Sequence, residues 1–317
     1  MNEPASFPRT TSGSSGDGDG PRSADEGTVN WRSLWAETSR RLADVATDSD
    51  IEARWICQEV GGLGNLEWVT SLEEPVSQRA VARLDEMVAR RLAGEPLQYV
   101  LGSWGFRTLD VMVDRRVLIP RPETEEVVGV ALERATELGP ELVVADLGTG
   151  SGVIALSLAA ELPRRWSVQV WGTDQSPDAV DVARANLAGI PGWAGPRVRL
   201  TVGSWFEALP EDLLGRIDLL VSNPPYVAAS EVLPPEVRRW EPHQALVSGP
   251  TGLEAIETIL GNGRQWLAAR GSVVLEIGAD QGPPARRLAE ELGYREVMVR
   301  PDVAGRPRAL VARASLR

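Results

Sequence analysis

The chain has 317 residues, of which 45 are acidic and 33 basic, for a formal net charge of −12, with 43% hydrophobic and 25% charged residues. These are the proportions of an ordinary globular chain with room for two domains, and no stretch approaches the ~20 apolar residues of a membrane helix. The lone cysteine, Cys57, excludes an intrachain disulfide, the lone histidine, His243, excludes a Cys/His metal site, and the acidic balance argues against direct nucleic-acid binding.

Every basic residue is arginine. The N-terminus lacks the basic and apolar pattern of a secretion signal, so cytoplasm is the expected compartment, with no membrane partner. Residues 1–27, built around Thr11–Gly20, contain almost nothing that could be buried and read as a disordered tail.

From residue 28 to 96 the apolar period is helical. Trp31, Leu34, Trp35, Leu42 and Val45 share a helix face that Thr28 or Asn30 could cap. Ile51, Trp55, Ile56 and Val60 form a second helix that stops at Gly61-Gly62. Val81, Leu84, Val88 and Leu92 form a third, ending at Gly94 before Pro96. Over residues 97–120, Tyr99–Phe106 and Leu109–Val113 read as the strands of a hairpin connector. Pro120 to Thr124 then breaks the chain before a helix carrying Val127, Val128, Val130 and Ala131.

Beyond residue 140, strands and helices alternate. Strands are expected at Leu142–Ala145, Val168–Gly172, Val198–Val202, Ile217–Val221 and Val273–Ile277. Helices are expected at Val153–Ala160, from Pro177 to about Leu187, and near Leu253–Leu267. This rhythm predicts an α/β fold with a mostly parallel sheet and helices on both faces. Arg295–Val299 and Ala309–Ala312 are expected to pair antiparallel at one edge.

Three segments carry chemistry. Asp146-Leu147-Gly148-Thr149-Gly150-Ser151-Gly152 follows the first sheet strand, where glycines permit a sharp turn and a helix N-terminus offers free N–H groups. Asp174 ends the next strand, where a carboxylate can accept both hydroxyls of a ribose; it could instead cap the following helix. The pair reads as a nucleoside site without separating a dinucleotide from S-adenosylmethionine. Ser222-Asn223-Pro224-Pro225-Tyr226 follows the fourth strand. Neither proline has an N–H, so the turn offers the Asn223 amide oxygen and rigid carbonyls as acceptors. Such a site suits a planar –NH2 group, with Tyr226 against its flat face. His243 reads as a loop residue, because no nucleophile elbow accompanies it.

Asn223-Pro224-Pro225-Tyr226 resembles the substrate motif of amino- and amide-nitrogen methyltransferases. The wider pattern resembles the bacterial release factor glutamine methyltransferases, the PrmC or HemK family. It comprises Gly94-Glu95-Pro96-Leu97-Gln98-Tyr99, Leu118 to Glu125, Asp146 to Gly152, Trp205 to Leu209, Asn223 to Tyr226, Glu241-Pro242 with Ala245-Leu246, and Leu275 to Gly278.

The resemblance implies a Rossmann-like class I methyltransferase sheet in residues 121–317, behind a helical substrate-docking domain at 28–96. It implies S-adenosyl-L-methionine as cofactor and peptide chain release factors as partners, methylated on the glutamine of the Gly-Gly-Gln loop. Gly148, Thr149, Gly150, Ser151 and Gly152 would wrap the methionine and ribose, Asp174 would bind the ribose, and Trp205 the adenine. Asn223 would touch cofactor and substrate. Asn223, Pro224, Pro225 and Tyr226 would hold the glutamine, with catalytic roles for Asn223, Pro224 and Tyr226. Many relatives place an acid just after the third strand, where this sequence has Gly203-Ser204 and only a hydroxyl. The competing expectations are a nucleic-acid amino-group methyltransferase, a nucleoside-binding protein without turnover, and, weakest, a NAD-dependent dehydrogenase.

Overall fold

A computed structural model describes residues 29–315 and divides between Gly102 and Ser103 into two compact units. The low-complexity segment 1–27 and the candidate cap Thr28 lie outside the described residues.

The N-terminal unit holds α1 (Trp31–Leu42), α2 (Ser49–Gly61), α3 (Asn65–Ser71), α4 (Gln78–Leu92) and α5 (Leu97–Leu101). Asn30, Asp48 and Ser77 cap α1, α2 and α4, each accepting a first-turn N–H, and Gly62 ends α2 with φ +62°. Helix α3 lies outside the apolar periods of the sequence. Its Trp68 meets Trp31 and Trp35 edge-on, at centroid distances of 6.3 and 5.8 Å.

The stripe of α4 is rotated from the expected one: Leu84, Met87, Val88 and Arg91 are buried, whereas Leu92 is 44% exposed. Arg91 can be inside because Glu52 accepts from it at 2.7 and 3.3 Å and the Val45 carbonyl at 3.1 Å. Glu95 accepts the Arg90 guanidinium on both oxygens, at 2.9 and 2.7 Å, while Arg90 also donates to the carbonyls of Tyr99 and Val100. This clasp carries the chain from α4 into α5. Tyr99–Leu101, expected as strand, is therefore helical, and extended structure begins only at Ser103, after Gly102 with φ +81°.

The second unit opens with the antiparallel hairpin β1 (Ser103–Phe106) and β2 (Leu109–Met112). Then follow α6 (Pro122–Leu138), β3 (Glu141–Leu147), α7 (Val153–Glu161), β4 (Ser167–Asp174), α8 (Pro177–Leu187) and β5 (Val198–Val202). After β6 (Ile217–Ser222) come the two-residue β7 (Val227–Ala228), α9 (Pro235–Trp240) and β8 (Val247–Gly249). The chain ends with α10 (Glu254–Trp266), β9 (Leu267–Glu276), α11 (Gly282–Glu291), β10 (Arg295–Pro301) and β11 (Pro307–Arg313).

Seven strands form one sheet in the order β10-β11-β9-β6-β3-β4-β5. It is parallel from β9 to β5, and β11 runs antiparallel to both β9 and β10. This is the mostly parallel sheet with an antiparallel edge that the sequence rhythm predicts, in the Rossmann-like arrangement that the resemblance implies.

Ala145, Leu147, Leu220, Val273, Leu275 and Leu310 share one buried cluster with residues of α10 and α11. Alternation turns Val144, Leu219, Val221 and Val274 to the other face, where α6 packs on β6 and β9. From β3 the chain winds outward through β4 and β5, then returns to place β6 on the other side of β3. The strand order reverses there, and in open parallel sheets the crevice beyond the carboxyl ends at that point is where ligands bind.

Candidate functional site

The β3 end is shaped by a buried carboxylate. Asp146 Oδ2 accepts from Thr149 Oγ1 at 2.6 Å and from the Ala155 N–H at 3.1 Å, holding the turn against the start of α7. Burial pushes its carboxyl up to about 7, against the pull of those two donors. Gly148, Gly150 and Gly152 have φ of +71°, +55° and +87°, a backbone only glycine adopts without strain. Thr149 and Ser151 complete the turn and, with Gly148 and Gly150, line an open cleft. Gly152 faces Leu156 and Ala183 instead, where an added Cβ would come within 3.1 and 3.2 Å.

Asp174 ends β4 across this turn. Its Oδ2 accepts the Gly150 N–H and its Oδ1 the Ser176 N–H, both at 2.9 Å. Ser176 is the N-cap of α8, so the capping alternative for Asp174 gives way to a carboxylate braced between two loops. Burial raises its pKa, and the two N–H groups work against the rise. Each oxygen keeps a second lone pair, which fits the carboxylate to a pair of sugar hydroxyls. Trp205 occupies the left-handed region with φ +47°, a conformation that costs about 1–2 kcal/mol for a residue with a side chain. Thr173 Oγ1 donates to its carbonyl at 3.1 Å, and its ring lies beside Gly148, 3.6 Å from where a Cβ would stand. Ser204 lines the same cleft, and so does Gln175.

At the end of β6, Asn223 and Pro225 line the cleft, whereas Pro224 and Tyr226 are not among its lining residues. The Pro224 ring is buried. The Tyr226 hydroxyl turns inward, 3.4 Å from Glu276 Oε1. Asn223 Nδ2 donates to Thr124 Oγ1 at 3.1 Å, and Thr124 Oγ1 donates to Glu276 Oε2 at 2.7 Å. Gln281 Nε2 holds the Tyr226 carbonyl at 2.9 Å and the Gly252 carbonyl at 3.1 Å. Among the described residues, none donates to Asn223 Oδ1 or to the Pro224 carbonyl.

Two further polar residues build the walls. Buried Glu241 accepts the Ile119 N–H at 3.1 Å and the Arg121 guanidinium, which fixes the Leu118–Arg121 wall of the cleft. Asn186 of α8 exchanges both hydrogen bonds with the Met112 backbone, at 2.7 and 3.1 Å, and donates to the Ser151 carbonyl at 2.9 Å. The hairpin and the glycine turn thus share one buried amide. His243 is exposed at the start of a single 3-10 turn, and its neighbour Gln244 lines the cleft.

The cleft has an empty volume of about 930 Å³, open to solvent, and brings together the glycine turn, Asp174, Trp205, Asn223 and Pro225. Among the described residues no group of three or more His, Cys, Asp or Glu is placed to hold a metal ion. No helix among them is long and apolar enough to cross a membrane.

Residues 33–102 match the PrmC N-terminal domain model, and residues 132–238 match the methyltransferase small domain model. The release factor glutamine methyltransferase of Cereibacter sphaeroides is 41% identical over 279 residues, covering 86% of this chain and 94% of the relative. That of Moorella thermoacetica is 41% identical over 291 residues, covering 89% and 97%. That of Burkholderia pseudomallei is 37% identical over 275 residues, covering 86% and 94%. The chain belongs to the release factor glutamine methyltransferase family.

Within this member of the release factor glutamine methyltransferases, several family-like segments have a structural explanation. Glu95 clasps Arg90, and Glu241 pins Ile119 and Arg121. Thr124 and Glu276 stand behind Asn223. Sequence reasoning gave these four residues no individual role. The signal available was a polar residue inside an otherwise apolar or proline-bounded run, most visibly Glu276 at the end of Val273-Val274-Leu275. Asn186 carried no signal, because its partners lie 74 and 35 residues away.

Proposed function

We propose that this chain methylates the side-chain amide nitrogen (N5) of the glutamine in the Gly-Gly-Gln loop of peptide chain release factors, in the cytoplasm, using S-adenosyl-L-methionine. The observation that carries the reading is the pair of unclaimed acceptors, Asn223 Oδ1 and the Pro224 carbonyl, at the switch point beside the glycine turn. The names of the relatives, release factor glutamine methyltransferases, supply the substrate class.

S-adenosylmethionine, when bound, supplies an electrophilic methyl group on a sulfonium. Gly148 to Gly152 would hold its methionine and ribose, Asp174 the ribose hydroxyls, and Trp205 with Ser204 the adenine side of the cleft. The residues present fit the group: a carboxylate with two free lone pairs for a diol, a glycine turn whose backbone lines the cleft, and an indole beside it.

An amide nitrogen is a poor nucleophile because its lone pair is delocalised into the carbonyl. Asn223 Oδ1 and the Pro224 carbonyl accept the two N–H bonds of the glutamine and stabilise positive charge as it develops on nitrogen. Pro225 keeps those acceptors rigid, and Tyr226 supports the turn from within. No side chain is required as a strong base. The carboxylate of Asp174 is engaged by backbone N–H groups and that of Glu276 sits behind Thr124, so the proton departs after methyl transfer. The helical unit contributes docking to the release factor rather than chemistry. Among the described residues, its ion pairs, such as Arg91–Glu52 and Arg32–Glu73, tie its own elements together and assemble no catalytic constellation.

The test is mass spectrometry of a release factor incubated with the chain and S-adenosylmethionine. One methyl on the Gly-Gly-Gln glutamine is expected. The Asn223→Ala control should slow methylation about 100- to 1000-fold, the scale of losing one pre-aimed polar group. An unmodified release factor with cofactor binding intact would overturn the reading and direct the search to nucleic-acid amino groups. A release factor methylated equally well after deletion of residues 29–102, from a variant that still binds cofactor, would overturn the docking role.

A further inference from the structure

The buried hydrogen-bond chain that runs inward from Thr124, in the cleft wall, does more than fill space. The register Ser222↔Leu275 sets Glu276 of β9 beside Asn223 at the end of β6, and Thr124 of α6 bridges them. Glu276 is fully buried and forms no ion pair among the described residues. Arg308, whose charge acts on Glu276, donates to the Ile277 carbonyl and pairs at 3.7 Å with Asp302. A carboxylate kept there without a direct cation is expensive, and packing alone would be served better by an apolar side chain.

Hydrogen-bond polarity runs one way along the chain. An ionised carboxylate only accepts, so the Thr124 hydroxyl must give its single proton to Glu276, at 2.7 Å. Thr124 can then only accept from Asn223, at 3.1 Å, and the Asn223 carboxamide must present its NH2 to Thr124. Its oxygen is thereby left for the cleft. Without the carboxylate, a hydroxyl would tolerate either orientation of the amide.

We propose that Glu276 and Thr124 are positioning residues that lock the Asn223 carboxamide oxygen-first toward the substrate, and so select an amide over a carboxylate. This rests on the proposed glutamine methylation and specifies how that site chooses its substrate. A substrate amide offers two N–H groups to the paired acceptors, whereas a carboxylate offers only lone pairs, which they repel. Burial pushes the Glu276 carboxyl up to about 7, with Glu123 adding to the rise and Thr124, Arg308 and Tyr226 opposing it. Once protonated, Glu276 can donate to Thr124, the polarity reverses, and the lock on Asn223 is released.

The experiment uses the full-length chain and a release factor, with Thr124→Val, Thr124→Ser and Glu276→Gln variants. A release factor carrying glutamate in place of the loop glutamine serves as competitor. Thr124→Val should lower kcat about tenfold to a hundredfold, the scale of one lost buried hydrogen bond, with S-adenosylmethionine affinity unchanged and weaker discrimination against the glutamate competitor. Thr124→Ser should restore both. At saturating cofactor, the wild-type rate should fall as pH drops through about 7, and Glu276→Gln should lose that limb. Wild-type kcat and selectivity in Thr124→Val, a Ser variant as poor as the Val variant, or an intact acid limb in Glu276→Gln would overturn the proposal. Failure of the wild-type chain to methylate the release factor would instead overturn the function on which it rests.

Discussion

The helical unit and the sheet unit both bury charge, but they treat it differently. In the helical unit, Arg91 at 6% exposure lies against Glu52, and buried Glu95 lies against Arg90. Each charge meets an opposite one, and no cleft residue is involved. At the carboxyl ends of the strands, Asp146, Asp174 and Glu276 are held by hydroxyl and backbone N–H donors instead, with no arginine paired to any of them. Paired burial serves packing in the helical unit, and at the cleft the Glu241–Arg121 pair fixes a wall rather than an acceptor. Carboxylates desolvated without a directly paired cation mark the place where the fold gives up stability for a defined arrangement of acceptors.

The largest expected effect tests the paired side. Arg91→Met should leave the mostly buried Glu52 carboxylate without its partner and cost about 3 kcal/mol of unfolding free energy in a denaturant titration. Replacing Glu52 by Leu as well should recover most of that loss. A single variant as stable as the parent would break the contrast between the units.

On the unpaired side, Asp174→Ala should weaken S-adenosylmethionine binding about tenfold to a hundredfold by titration calorimetry, the scale of lost hydrogen bonds to a charged group. An unchanged affinity would reduce Asp174 to a brace for the loops of Gly150 and Ser176.

The smallest effect sharpens the comparison through pH. The carboxyls of Asp146 and Glu276 are pushed up to about 7, from ordinary values of 3.8 and 4.5. Between those limits the folded chain binds more protons than the unfolded chain, so stability is greatest at the acid end of the window and falls as pH rises toward 7. Glu276→Gln should flatten part of that fall, by an amount on the order of 1–2 kcal/mol at pH 8, with melts followed across pH 5 to 8. An unchanged slope would place the titration elsewhere.

Local signals in the sequence determined much of this protein. Alternating strand and helix patterns, the Gly148–Gly152 turn, Asp174 and the Asn223–Tyr226 turn are each legible because the residues that cooperate are neighbours along the chain. Glycine and proline restrict backbone angles wherever they stand, so a strand followed by such a turn already announces a crevice. Tyr99–Leu101 and α3 escaped that logic. The Arg90–Glu95 clasp overrode strand-like composition in the first, and the second is a seven-residue helix stabilised by Trp68 packing against Trp31 and Trp35.

Only the tertiary structure decided which way Asn223 faces. Thr124 lies 99 residues from Asn223 and 152 from Glu276, and Asn186 reaches Met112 across 74. Side-chain hydrogen bonds between distant segments have no sequence period. They exist because the sheet register brings β9 beside β6 and packs α6 across both.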